Sequence, residues 1–215
     1  MAVAAFLIAP IAAQAADLSS PNYKAPAYSA PAYSNWSGFY LGLNAGYGFG
    51  KSNWDAPAVS PSPKGGLFGV TAGYNFQTGT WLWGAEGDFD ISTMKGSATC
   101  SGTGTCDTKN SWLATVRGRL GYAGWNNWLP YITGGLAMGD IKASNSLRTD
   151  ASKTKMGYAL GAGVEYAMMT NWSVKLEYLY VDLGKFDCGV ACSTTTPDNV
   201  SFKANVVRAG LNYRF

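Results

Sequence analysis

The chain has 215 residues, of which only 13% are charged, and its formal net charge at neutral pH is +3. A charge this small, without a run of lysine or arginine, argues against a nucleic-acid partner. Histidine is absent, which removes the usual general base and a common metal ligand. We therefore expect no enzyme activity and no cofactor.

The amino-terminal region is expected to contain two segments that precede the folded domain. Residues 1–15 are apolar and end on Ala-Gln-Ala, the small-residue pattern of a signal-peptide cleavage site. No basic residue precedes this run, which leaves open a natural start upstream of Met1. Residues 16–35 repeat Tyr-Lys-Ala-Pro-Ala as Tyr-Ser-Ala-Pro-Ala, and proline at this density favours an extended periplasmic spacer. A specific ligand for a partner is the alternative for the second segment.

From residue 36 to residue 215 apolar side chains recur with a period of two, the pattern of strands with one apolar face. Eight segments show it: 38–50, 67–77, 81–92, 112–122, 131–140, 155–167, 172–183 and 206–215. Tight turns near 78–80, 124–128 and 169–171 alternate with long connections at about 50–65, 93–110, 141–153 and 184–199. This succession predicts an antiparallel up-and-down arrangement of eight strands in one domain, 36–215.

Three features favour a membrane rather than a soluble core around the apolar face. The strands are about a dozen residues long, which a tilted strand needs to cross a bilayer. The opposite face is mostly small, which suits the inside of a narrow barrel. With the amino terminus in the periplasm, bulky aromatic residues fall into two bands at opposite strand ends, as they do at membrane interfaces. The fold class is therefore predicted to be an all-β, eight-stranded antiparallel up-and-down transmembrane β-barrel.

The two predicted aromatic bands and the charges in the apolar phase can be stated by residue. The periplasmic band comprises Trp36, Phe39, Phe76, Trp81, Tyr122, Trp125, Trp128, Tyr166, Trp172, Tyr213 and Phe215. The outer band comprises Tyr47, Phe49, Phe68, Phe89, Trp112, Tyr158 and Tyr180. The charged residues in the apolar phase, Asp140, Asp182 and Lys203, are expected at outer strand ends, where their cost is small.

Several stretches resemble the small outer-membrane β-barrel proteins of alphaproteobacteria, known as outer-membrane immunogenic or porin-family proteins, with a barrel like the OmpA transmembrane domain. They are "NWSGFYLGLNAGYGFG", "WLPYITGGLA", "GVEYAMMTNWSVKLEYLYVDLG" and "AGLNYRF". The resemblance implies an integral protein of the Gram-negative outer membrane, with roles in envelope integrity and surface interaction. The implied partners are outer-membrane lipid, lipopolysaccharide, the barrel-assembly machinery, and host or other surface ligands of the outer loops.

Two other functions remain open from the sequence. A small passive porin-like pore is the alternative function, since the resemblance also implies weak pore activity. A membrane-embedded lipid hydrolase or acyltransferase is a third candidate, but the barrels of that kind rely on histidine, which this chain lacks.

Ten charged residues occupy the phase that is expected to face the lumen. They are Glu86, Asp88, Asp90, Glu165 and Glu177 against Arg117, Arg119, Lys175, Arg208 and Arg214. Because buried charges persist only when paired, and an eight-stranded barrel is just wide enough for its own side chains, we expect an ion-pair network that fills the lumen. The acidic run 86–90 is expected to pair with Arg117 and Arg119. A metal or acid–base site on this run is the weaker alternative.

The four cysteines fall within two predicted outer loops, Cys100 and Cys106 in one and Cys188 and Cys192 in the other. Four cysteines allow three pairings, and the sequence does not choose among them. In an oxidising compartment the local disulfides Cys100–Cys106 and Cys188–Cys192 are the default expectation. Irregular spacing and the lack of histidine argue against a zinc site.

The last predicted strand, 206–215, places Val207, Ala209, Leu211 and Tyr213 in phase with Phe215. A terminal Phe behind alternating apolar residues resembles the signal that the barrel-assembly machinery reads in bacterial outer-membrane proteins. We therefore expect Tyr213 and Phe215 to form an assembly signal.

Overall fold

The computed structural model describes residues 35–54, 62–99, 105–145, 151–187 and 199–215. The expected signal segment, nearly all of the spacer, and Cys100, Cys188 and Cys192 lie outside these residues, as does the side chain of Cys106. The strands are β1 (Gly38–Trp54), β2 (Lys64–Thr78), β3 (Trp81–Ser92), β4 (Lys95–Thr99), β5 (Thr105–Tyr122), β6 (Trp128–Asn145), β7 (Ala151–Ala167), β8 (Trp172–Asp187) and β9 (Asn199–Arg214). Within the described ranges, no helix is both long enough and apolar enough to span a membrane.

The strands form one closed antiparallel barrel. β1 pairs with β2, where Leu43 lies opposite Val70, and with β9, where Leu43 lies opposite Leu211. β3 and β4 follow each other and both pair with β2 and β5, so together they form one stave of the barrel. The described strands thus make eight staves, and the predicted fold class is confirmed.

The predicted turns are confirmed, but the long connections are shorter than predicted. Chain reversals occur at 79–80, 123–127 and 168–171. Within the interval 93–110, residues 95–99 and 105–110 are strand rather than loop, because β4 pairs with the start of β5 and Ala98 lies opposite Cys106. β1 likewise continues to Trp54 and β6 to Asn145. In these extensions backbone hydrogen bonds still pair the strands, but the outer face no longer has to be apolar. The apolar alternation in the sequence therefore ends before the strands do. We call the two ends of the barrel the turn end and the loop end.

The barrel is apolar outside and polar inside. Phe68, Ile91 and Met156 on the outer face are each about 60% exposed, at 59%, 61% and 63%, whereas Thr71 and Asp90 on the inner face are buried. A soluble protein has its apolar residues inside and its polar residues outside. The opposite arrangement found here is that of a barrel surrounded by lipid.

Aromatic rings mark both rims of the apolar belt. At the turn end the centroids of Trp128 and Tyr166 are 4.7 Å apart, and those of Trp172 and Tyr213 are 5.0 Å apart. At the loop end the corresponding pairs are Phe89–Trp112 at 6.1 Å and Tyr158–Tyr180 at 6.3 Å. The two predicted bands are therefore present, with one correction at Trp36.

Trp36, which was predicted in the periplasmic aromatic band, does not belong to it. Its side chain is only 1% exposed, and it packs with Leu82, Ala123, Leu129 and Ala167 in a buried cluster. Gly38, the first residue of β1, has φ of 131°, a conformation that residues with a Cβ rarely adopt. Trp36 has the same even-numbered phase as the inward-facing Tyr40, so the alternation of β1 already places it inside the barrel.

Candidate functional site

The lumen is filled by three layers of side chains. At the turn end lies the Trp36 cluster, which we call the turn-end plug. The middle of the lumen holds the predicted charged residues, which we call the charged layer. Toward the loop end lies an apolar layer, comprising Leu67, Met94, Leu113, Ala137, Ile141, Ala159, Leu179, Val181, Leu183, Phe202, Ala204 and Val206.

The sequence analysis missed the apolar layer because the in–out pattern reverses toward the loop end. In 202–206 the inward residues Phe202, Ala204 and Val206 are apolar, while the outward residues Lys203 and Asn205 are polar. Farther down the same strand the outward residues are apolar and Arg208 points inward. The reversal indicates where the outer surface leaves hydrocarbon, and it could have been read from the sequence.

Arg117 is the centre of the charged layer. Its Nη2 lies 2.6 Å from Glu86 Oε1 and 2.6 Å from Asp88 Oδ2, and its Nη1 lies 3.2 Å from Glu177 Oε2. The remaining donor capacity of the guanidinium is used by hydroxyls, since Nε donates to Thr115 Oγ1 at 3.0 Å. A planar group with five donors thus joins carboxylates from two separate strands.

Arg208 and Lys175 extend the charged layer from the other side of the barrel. Arg208 Nη2 lies 2.7 Å from Glu177 Oε1 and 2.9 Å from Asp88 Oδ1, and its Nη1 lies 3.1 Å from Asp90 Oδ2. Lys175 Nζ donates to Glu86 Oε2 at 2.8 Å. Glu86, Asp88 and Glu177 are therefore each shared by at least two cations.

The expected pairing of the acidic run is found for Arg117, but for Arg119 it is only a long ion pair with Glu86. Arg119 Nη1 is 3.9 Å from Glu86 Oε2, but the direct partner of its Nη2 is Glu165, across the lumen. Glu165 also accepts hydrogen bonds from Ser173 and, at 2.9 Å, from Asn212. Asp90 likewise pairs with a cation of β9 rather than with β5.

Two buried tyrosines that the sequence analysis did not single out complete the charged layer. Tyr40 Oη donates to Glu86 Oε2 at 2.7 Å, and Tyr131 Oη donates to Glu177 Oε2 at 2.9 Å. The guanidinium carbon of Arg119 lies 3.8 Å from the centroid of the Tyr131 ring, which adds a cation–π contact. Both tyrosines occupy the inward phase of their strands, so the sequence alternation alone could have identified them as lumen residues.

Each tyrosine ring lies against a glycine on the neighbouring strand. A Cβ on Gly73 would overlap the Tyr40 ring, and a Cβ on Gly163 would lie 2.6 Å from Tyr131 Cζ and 2.7 Å from the carbonyl oxygen of Leu176. The space that a side chain at each glycine would occupy is thus filled by a tyrosine ring from the neighbouring strand.

The sequence predicted five acidic and five basic residues in the charged layer, but Arg214 lies outside that layer. Its side chain is half-buried at the turn end, where Nη2 donates to the carbonyl oxygen of Thr170 at 2.6 Å and the guanidinium lies 5.6 Å from the Trp36 ring. The charged layer then holds five carboxylates against the cations Arg117, Arg119, Lys175 and Arg208 among the described residues. Asp90 Oδ1 is buried without a hydrogen-bond partner, which agrees with an excess of acid at that position.

The acidic run on β3 is occupied by arginine and lysine partners. Among the described residues, no group of three or more acidic, cysteine or histidine side chains has the arrangement of a metal site. The geometry is that of an ion-pair network rather than of a free carboxylate pair.

The remaining predicted residues lie at the barrel rims. Lys203 Nζ is 3.4 Å from Asp182 Oδ2 and Lys142 Nζ is 3.9 Å from Asp140 Oδ2, all near the loop end. Lys203 is exposed, while Asp140 and Asp182 are largely covered. At the turn end the Phe215 ring is 68% exposed, with its centroid 5.8 Å from Phe39 and 5.1 Å from Tyr213.

Comparisons with known proteins agree with this architecture. A family model described as an outer membrane protein beta-barrel domain matches residues 1–215. The 31 kDa outer-membrane immunogenic protein of Brucella melitensis biotype 1 is 39% identical, over 94% of this chain and 93% of its own. The 22 kDa outer membrane protein of Rhizobium leguminosarum bv. viciae is 36% identical, over 84% and 79%.

Among solved structures, Neisserial surface protein A shares the fold, with a TM-score of 0.53 at 17% identity, over 83% of this chain and 98% of that one. The family resemblance and the membrane location expected from the sequence are both confirmed. This chain belongs to the outer-membrane β-barrel domain family and is a protein of the bacterial outer membrane, related to the outer-membrane immunogenic proteins.

Proposed function

We propose that this protein is a non-conducting, non-enzymatic barrel that supports the outer membrane and presents its loop end to the outside for surface contacts. The observation that carries the proposal is the filled lumen. A conducting channel needs a continuous water-filled path, usually lined by one sign of charge. Here side chains of both charge signs, arginines and carboxylates, form ion pairs with each other across the lumen, and apolar layers lie on either side.

The absence of enzyme activity is part of the same proposal. The chain has no histidine, and Glu86, Asp88 and Glu177 are each bonded to more than one cation. A carboxylate that is held in this way is a poor general base, because accepting a proton would leave its cations without a counter-charge. Relatives named outer-membrane immunogenic proteins support a role at the cell surface. The local disulfides Cys100–Cys106 and Cys188–Cys192 remain part of the proposal and would stiffen that surface.

Planar-bilayer recordings test the closed lumen. We expect the purified barrel to give no steady conductance, and the Trp36→Ala variant to remain silent because the charged layer still closes the lumen. A large porin inserted in the same bilayers provides the positive control. Reproducible conductance steps from the wild-type barrel would contradict the proposal and favour a passive pore.

We further propose that Tyr213 and Phe215 are read during barrel assembly. Tyr213 lies on the lipid-facing row of β9, the strand that closes the barrel against β1, and Phe215 follows β9 in the same phase. Replacing Phe215 by Ser should lower the amount of protein inserted in the outer membrane severalfold, as measured in membrane fractions by gel mobility with and without boiling.

Phe39→Ser is the matched control for Phe215→Ser. It removes the other ring of the same 5.8 Å aromatic pair and leaves β9 intact. We expect both variants to lose similar stability after refolding in detergent, and only Phe215→Ser to insert poorly. Equal insertion of the two variants would overturn the assigned signal.

A further inference from the structure

Six lysines form a continuous row around the outer surface of the barrel near the loop end. In order around the wall they are Lys203, Lys51, Lys64, Lys95, Lys109 and Lys142, on β9, β1, β2, β4, β5 and β6. We call this set the lysine row. All six side chains are exposed. The row passes over six of the eight staves of the barrel, with an offset of two residues between Lys51 and Lys64.

Four pairs of these lysines lie directly opposite in the strand register, whereas between β1 and β2 Lys64 lies opposite Phe49, two residues from Lys51. The register pairs are Lys51 with Lys203, Lys64 with Lys95, Lys95 with Lys109, and Lys109 with Lys142. Side chains directly opposite in an antiparallel pair are close neighbours, and like charges at such positions destabilise the sheet. Four such pairs, three of them consecutive, call for an external counter-charge.

Carboxylates of the barrel neutralise only part of the row. Among the described residues, ion pairs are formed by Lys142 with Asp140 and by Lys203 with Asp182. No ion pair of Lys51, Lys64, Lys95 or Lys109 occurs within the described part of the chain. The row therefore keeps an excess of positive charge.

On β1, β2 and β9 the row lies just beyond the apolar belt, where the headgroups of the outer leaflet are expected. Phe49 and Phe68 of the aromatic rim lie two residues from Lys51 and four from Lys64 along β1 and β2. The reversal of the in–out pattern occurs at the same level, where Lys203 and Asn205 replace apolar outward residues on β9. Aromatic rims lie at the interface between hydrocarbon and headgroups, so lysines just beyond them meet the charged groups of lipid.

Part of the row also lines a groove on the outer wall, beside Phe49. The groove has a volume of about 420 Å³ and is bordered by Lys51, Lys64 and Lys203 together with Tyr180 and Asn205. Three ammonium groups beside a phenol and an amide provide donors for an anion with several oxygen atoms.

We propose that the lysine row binds the phosphate groups of lipopolysaccharide in the outer leaflet. The bound phosphates neutralise the opposed lysines, so lipid and barrel stabilise each other around six staves. The proposal depends on the loop end facing outward, as in the proposed function, and does not depend on whether the lumen conducts.

The test measures binding of bisphosphorylated lipid A to the refolded barrel in neutral detergent micelles by native mass spectrometry. The Lys64→Gln/Lys95→Gln variant should bind about tenfold or more weakly than the wild type. Dephosphorylated lipid A should bind weakly to both proteins. The matched control is Lys155→Gln/Arg214→Gln, which removes the same two charges outside the row and should bind like the wild type.

A second measurement separates binding from misfolding. In neutral detergent without lipid A, Lys95→Gln should be at least as stable to urea as the wild type, because it removes two like-charge pairs. On addition of lipid A the wild type should gain more stability than the variant.

Three outcomes would overturn the proposal. One is equal affinity of the wild type and Lys64→Gln/Lys95→Gln for lipid A. Another is full competition by millimolar inorganic phosphate, which would assign the row to free phosphate instead of lipid. The third is lysine-dependent binding of a sulfated polysaccharide by a barrel whose lipid A binding does not depend on these lysines.

Discussion

Replacing Arg117 by Met is expected to lower the free energy of unfolding of the barrel by about 3–5 kcal/mol. The guanidinium contacts Glu86, Asp88 and Glu177, all buried, at 2.6 to 3.2 Å. Methionine fills much of the same volume but leaves these carboxylates with fewer counter-charges in a place that water does not reach. Urea unfolding in lipid vesicles, followed by tryptophan fluorescence, measures the change.

Asp90→Asn is the matched control within the same layer. The five carboxylates of the charged layer exceed its four described cations, and Asp90 Oδ1 has no hydrogen-bond partner. Removing this acid therefore brings the layer closer to neutrality while keeping the shape of the side chain. We expect a change within about 1 kcal/mol, since only the bond to Arg208 is weakened. Equal losses for Arg117→Met and Asp90→Asn would show that charge balance does not govern this layer.

The strand alternation predicted which side chains face the lumen, because successive side chains of a strand point to opposite faces of the sheet. Glu86 and Arg117 are buried as expected, and they are direct neighbours in the register of β3 and β5. The same register places Arg119 opposite Gly84, so its partner has to come from another strand. Glu165 on β7 supplies it from across the lumen. Contacts of this kind depend on the tilt and stagger of the whole barrel, which a pattern along one strand does not contain.

Two other features were missed for local reasons. Trp36 was assigned to the aromatic rim because it is a large aromatic residue at the end of a strand, although its even-numbered phase is that of the inward-facing Tyr40. The apolar layer was missed because Leu179, Val181 and Leu183 point inward where the rest of the lumen-facing phase is polar. In both cases the rule of apolar outside and polar inside was applied beyond the part of the strand that contacts lipid.

Gly163→Ala is expected to destabilise the barrel by about 1–3 kcal/mol, the usual cost of adding volume to a packed interior. The new methyl group would lie 2.6 Å from the end of the Tyr131 ring and 2.7 Å from the carbonyl oxygen of Leu176. Neither neighbour moves without loss. The ring is held by its hydrogen bond to Glu177 and by Arg119, and the carbonyl belongs to the wall of the barrel.

Gly118→Ala provides the comparison for Gly163→Ala, because it adds the same methyl group to the lipid-facing side. A Cβ at Gly118 would have its nearest neighbour, the carbonyl oxygen of Gly134, at 3.8 Å, which is ordinary contact. There alanine also restricts the unfolded chain, so this variant should be unchanged or slightly more stable. Urea unfolding of both variants in lipid vesicles measures the two changes in stability. If the two alanines had the same effect, the close packing of Tyr131 against Gly163 would not contribute to stability. A loss confined to Gly163→Ala would show that the lumen is packed as tightly as the core of a soluble protein, which is the property that a closed barrel requires.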